Sequence, residues 1–76
     1  MAANAYVMLQ VEPAKTQSVL QRLKTLKGAI VHEVLGPYDI IVELEAATQE
    51  DLAAVLRTQI RAISGVTATV TCTWLD

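Results

Sequence analysis

The chain has 76 residues, 53% of them hydrophobic, a single cysteine and a formal net charge of −2. A domain this short buries only about 60% of its unfolded surface, and one thiol excludes an intrachain disulfide, so self-association is the expected supplement to a small core. The acidic balance, with pI ≈ 5.2, excludes a basic phosphate-tracking surface and with it direct nucleic-acid binding; no apolar run approaches the ~20 residues of a membrane span.

The first strand is expected from Ala5 to Val11. There Ala5, Val7, Leu9 and Val11 share one face, while Tyr6, Met8 and Gln10 share the other. Pro13 suits the first turn of a helix, and Val19, Leu20, Leu23 and Leu26 follow as a single apolar stripe up to Gly28. Ala29 to Leu35 forms a second strand, Gly36-Pro37-Tyr38-Asp39 reverses the chain, and Ile40 to Ala46 forms a third. In that third strand Ile40, Val42 and Leu44 point inward, and Ile41, Glu43 and Glu45 outward. Thr48-Gln49-Glu50-Asp51 opens a second helix in the manner of a capping box, with Asp replacing the usual Glu or Gln. Its apolar face is Leu52, Val55, Leu56, Ile60 and Ile63, and it stops at Gly65. Val66 to Leu75 alternates cleanly, with Val66, Ala68, Val70, Cys72 and Trp74 on one face and Thr67, Thr69, Thr71 and Thr73 on the other.

Leu23-x-x-Leu26-x-Gly28 at the end of the first helix is echoed by Ile60-x-x-Ile63-x-Gly65 at the end of the second. The order strand, helix, strand therefore occurs twice. Each half is a β-α-β unit whose right-handed crossover lays its helix on the same side of one sheet. The expected fold is α+β: a ferredoxin-like β-α-β-β-α-β sandwich, with an antiparallel sheet and two helices on one face. The other face, with Tyr6, Met8, Ile41 and the threonines, is left bare and too apolar for water, which predicts a dimer packed through it. Cys72, sharing a face with Val70 and Trp74, is expected to be an inert buried thiol. A lone thiol fits a reducing compartment, and residues 1–76 read as one soluble, cytoplasmic domain.

The Gly36-x-Tyr38-Asp39 hairpin, the Ile60-x-x-Ile63-x-Gly65-Val66 junction and the Thr69-x-Thr71 pair resemble the effector-binding, or RAM, domain of the Lrp/AsnC regulators. The resemblance covers nearly the whole chain. It implies a stand-alone effector domain without the helix-turn-helix that members usually carry, dimeric through its sheets and often assembled into rings of dimers. Small molecules, typically amino acids, are then expected between dimers near the hairpin, with an indirect effect on transcription, no cofactor and no catalysis. Carried over, Gly36 lets backbone approach the ligand, and Tyr38 and Asp39 shape and polarise the pocket. Asp39 is placed to pair with an α-ammonium group. Thr69 and Thr71 supply either hydroxyls to the ligand or contacts between sheets. Pro37 departs from a donor-rich loop, and no basic residue in the hairpin awaits an α-carboxylate. Asp39 has a plainer reading too, as the residue that ties the turn by a local hydrogen bond.

Four other readings stand beside this one. A chain of the same build without a ligand would co-assemble with full-length Lrp/AsnC regulators through the same surfaces. Ferredoxin-like dimers also include small monooxygenases that use Asn, His and Trp, and this chain has Asn4, His32 and Trp74; His32 is expected to be a packed strand residue, with Glu33 pointing to the opposite face. The ACT domain shares the element order and amino-acid effectors, and the Gly-x-Tyr-Asp hairpin separates it. A metal chaperone would need paired soft ligands, and Cys72 stands alone.

Overall fold

Nine alternating residues make the first strand long enough to run through the middle of the sheet. The computed structural model describes residues 2–74. β1 (Ala3–Val11) is followed by a short 3-10 turn (Pro13–Lys15) and α1 (Thr16–Lys24), then by β2 (Ala29–Glu33) and β3 (Ile40–Ala46). α2 (Gln49–Val55) continues into a wide π turn (Leu56–Ile60), and β4 (Val66–Thr73) closes the order. The sheet runs β2-β3-β1-β4, every pair antiparallel. This is the ferredoxin-like arrangement that the double β-α-β pattern dictates.

The inward set of β1, from Ala3 to Val11 in steps of two, is buried, together with Ile40, Val42 and Leu44 from β3. The helices cover this face with Val19, Leu20, Leu23, Leu52 and Ile60. Thr48 caps α2 as its sequence suggests: its Oγ1 accepts the Asp51 N–H at 3.1 Å. The repeated helix endings are the same turn twice, since Leu26 N–H donates to Leu23 O at 3.0 Å and Ile63 N–H to Ile60 O at 3.1 Å. The second helix departs from a regular α-helix at Arg61, whose N–H donates five residues back to Leu56 O at 2.9 Å. That wide turn still delivers Ile60 to the core.

β4 corrects the sequence reading. Val11 pairs with Val66, but Gln10 pairs with Ala68, so Thr67 is an extra residue in a bulge, its Oγ1 donating to Gln10 O at 3.1 Å. One inserted residue flips every later side chain to the other face. Thr69, Thr71 and Thr73 therefore stand opposite Leu9, Val7 and Ala5, on the helix side, and not on the open face. The open face instead receives Ala68, Val70 and Cys72, opposite Gln10, Met8 and Tyr6. Cys72 is consequently exposed, contrary to the buried thiol expected. β2 is also shorter than its apolar run: it leaves the sheet after Glu33, and Leu35 stands fully in solvent. Leu75 lies outside the described residues.

Candidate functional site

Gly36, Tyr38 and Asp39 lie in the β2–β3 hairpin, and β1 fixes where that hairpin sits. Asp39 N–H donates to Leu9 O at 2.9 Å, and Val11 N–H donates to Asp39 Oδ2 at 2.9 Å. Gln10 Nε2 adds a bond to Pro37 O at 3.0 Å, and Val34 N–H closes the loop on Asp39 O at 3.0 Å. Asp39 thus ties the turn, but to a strand 28 positions away in sequence and not locally. The β1–β3 ladder ends at the pair Leu9–Ile40, so the Val11 N–H two residues further on has no backbone partner in β3 and finds its acceptor in the Asp39 carboxylate. Gly36 has φ +153, and nothing lies within 4 Å of where a side chain would begin. Beyond it Leu35 and Pro37 are exposed, while Tyr38 and Asp39 are half-buried.

The two threonines are not brought to this loop. Thr69 stands opposite Leu9 and, half-buried, faces the helices, so β1 separates it from the Asp39 backbone that bonds the same leucine. Thr71 lines a small apolar groove of about 130 Å³ with Val7, Leu52 and Leu56. Within one chain the hairpin and the threonines form two separate places.

The open sheet face collects Tyr6, Met8 and Ile41, as expected, and also Ile30, Val70 and Cys72. Tyr6 and Trp74 lie ring against ring, with centroids 4.6 Å apart and planes at 42°. His32 Nε2 meets Glu43 Oε2 at 2.8 Å on this face. The sequence reading weighed only the adjacent Glu33 and missed Glu43, although the hairpin register carries the signal: Glu43 lies two residues beyond Ile41, the direct partner of His32. His32 is tied to that carboxylate, and Trp74 to the Asn4 carbonyl through its backbone N–H at 3.3 Å and to Tyr6 through its ring. Among the described residues no group of three or more His, Cys, Asp or Glu side chains is placed to hold a metal. No helix of the described residues is long and apolar enough to cross a membrane.

The family model described as the Lrp/AsnC ligand binding domain matches residues 4–76. The chain belongs to this family. No curated protein sequence matches it. Among solved structures, the Lrp/AsnC-type domain is similar to a Thermus thermophilus protein, 24% identical with a TM-score of 0.92, over 97% of this chain and 94% of the other. It is similar to Escherichia coli AsnC at 21% identity and a TM-score of 0.90, over 97% of this chain and 51% of AsnC. A transcriptional regulator from Neisseria meningitidis in complex with L-methionine shares the fold at 8% identity and a TM-score of 0.88, over 97% of this chain and 50% of the regulator. The same fold thus accounts for nearly all of one neighbour and about half of the two regulators. Family membership makes this an effector-binding regulatory domain; the family is not one of enzymes.

Proposed function

We propose that the chain acts as a stand-alone effector-binding and oligomerisation domain of Lrp/AsnC type in the cytoplasm, taking an amino acid at the Gly36–Asp39 hairpin and modulating transcription indirectly. The hairpin itself carries this reading. Three hydrogen bonds hold it against β1, through Asp39 N–H, Asp39 Oδ2 and Pro37 O, yet its tip presents Leu35 and Gly36 to solvent. A loop held rigidly but left uncovered is suited to closing over something that a second subunit helps to bind. The Neisseria meningitidis regulator with L-methionine supports the class of ligand.

In this reading Asp39 has two duties: Oδ2 holds Val11, and Oδ1 receives the α-ammonium group. Tyr38 shapes the pocket, and the α-carboxylate takes backbone N–H groups or a basic residue of another chain. Thr69 and Thr71, on the helix side of β4, join the ligand only across a contact between subunits. Tyr6, Met8 and Ile41 form the dimer interface, and a two-fold pairing needs only that this one patch complement itself.

The test is a thermal-shift screen against amino acids and their oxo-acids, using wild type, Asp39→Asn and Asp39→Ala. The Asn variant keeps an acceptor for the Val11 N–H and drops the charge. A ligand at one hundred times its Kd stabilises wild type by about 2.7 kcal/mol. The Asn variant is expected to melt near the free wild type and to ignore the ligand; the Ala variant also loses about 1–3 kcal/mol from the stranded Val11 N–H. A response equal in all three proteins would remove Asp39 from the site.

One observation favours a second reading. The domain occupies about half the length of AsnC, so the same sheet face exists within longer regulators and a mixed dimer is open to it. If no amino acid shifts the melting curve and a full-length regulator co-sediments with the chain, the interaction-only role is the correct one.

A further inference from the structure

The helical layer holds a charge pattern that the hairpin does not use. All six Lys and Arg residues, Lys15, Arg22, Lys24, Lys27, Arg57 and Arg61, lie in that layer or its connecting turns, whereas the open sheet face carries Glu43, Glu45 and His32. Between α1 and the π turn is a cleft of about 330 Å³. Ser18 and Arg22, one helical turn apart on α1, form one wall, and Thr58, Gln59 and Ser64 form the other. No carboxylate lines it.

The donors can be counted. Ser18 Oγ donates to Lys15 O at 3.0 Å and Thr58 Oγ1 to Ala54 O at 2.7 Å, so both protons are committed. Ser64 Oγ accepts from Lys15 Nζ at 3.0 Å, which leaves its own O–H free. Lys15 is shared with Glu12 at 3.6 Å, but Arg22 has no ion-pair partner among the described residues. The cleft therefore offers an unpaired guanidinium, the Gln59 amide and the Ser64 hydroxyl, with Lys15 behind that hydroxyl. This is a donor set with no acceptor charge to match it, and the planar fork of Arg suits an oxyanion bidentately. Its second wall begins in the π turn, a geometry that is rare and frequently sits at functional sites.

We propose that this cleft is a second binding site, for a small oxyanion of the phosphate type, on the helical side of the domain and away from the hairpin. Packing of two sheet faces leaves it open to solvent, so both sites can be filled in one assembly.

The test titrates inorganic phosphate into isotope-labelled full chain, at ionic strength held constant with sodium chloride, and follows backbone amide shifts. Saturable shifts at Gln59 and Ser64 are expected. Arg22→Gln is expected to weaken binding about tenfold or more, as loss of a charged hydrogen-bonding partner does. Ser64→Ala is a milder second variant whose fold is not in question, and it should weaken binding by a smaller factor. Arg57→Gln removes one positive charge from the π turn outside the cleft wall and should leave the Kd unchanged. Shifts that stay linear with concentration, or equal weakening by Arg22→Gln and Arg57→Gln, would overturn the proposal. A parallel titration with glycerol phosphate separates the sources: tighter binding of the ester assigns the site to a phosphorylated metabolite, tighter binding of phosphate to the free ion, and either supports the site.

Discussion

Leu9→Ala is expected to cost about 2–5 kcal/mol, the range for emptying a fully buried leucine site. Leu9 has no exposed surface and sits two residues from the end of the inner strand β1, paired with Ile40 on one side and Thr69 on the other. The cavity cannot close easily, because β1 is held by both neighbours and its Leu9 carbonyl anchors the hairpin through Asp39 N–H. A chain of 76 residues has a total stability of roughly 4–11 kcal/mol at the usual value per residue. The substitution therefore removes about half of it. Urea unfolding measures this directly: the midpoint should fall at nearly constant slope. A loss below about 1 kcal/mol would mean that the core around β1 collapses to fill the space.

Gly28→Ala is expected to be about as severe, by a different route. Gly28 has φ +80, and a Cβ there would lie 2.6 Å from the Glu45 carbonyl oxygen. That oxygen belongs to the backbone of β3, and Gly28 O in turn accepts the Glu45 N–H at 2.9 Å. The chain cannot move away without breaking the pairing that starts β2. Backbone strain of about 1–2 kcal/mol and the clash together should cost about 3–4 kcal/mol. Gly36→Ala is the control: its φ is also positive, but the space around it is empty. It should lose only about 1 kcal/mol, the strain alone. Equal losses at the two glycines would show that the contact with Glu45 contributes nothing.

The periodicities carried most of the fold. Period two in β1 and β3, the apolar stripes of both helices and the repeated Gly28 and Gly65 endings each specify an element from neighbours close in sequence, and each element is there. What local pattern could not reveal was register. An extra residue at Thr67 is invisible in the alternation from Val66 to Trp74, since either phase satisfies it; only pairing with β1 decides which phase faces the helices. The same limit hid the His32–Glu43 contact, which is short across the sheet but 11 residues apart along the chain. Asp39 stands out in the sequence by its chemistry alone. The acceptor it provides serves Val11, 28 positions away at the end of β1, a partner that no reading of the hairpin alone would reach.

The bulge has a bearing on how the protein survives at high concentration. β4 is an edge strand, and from Val66 to Trp74 it contains no charged residue and no proline. A stretch with that composition, rich in Thr and Val, is a template on which further chains can stack into fibrils. Lys and Glu side chains, the common guards of such an edge, are absent here. The kink at Thr67 gives the strand extra twist at its start, and a twisted rim offers a flat incoming strand only a short run of matching hydrogen bonds. The residue that displaces the threonines toward the helices thus also protects the domain against open-ended growth along this edge.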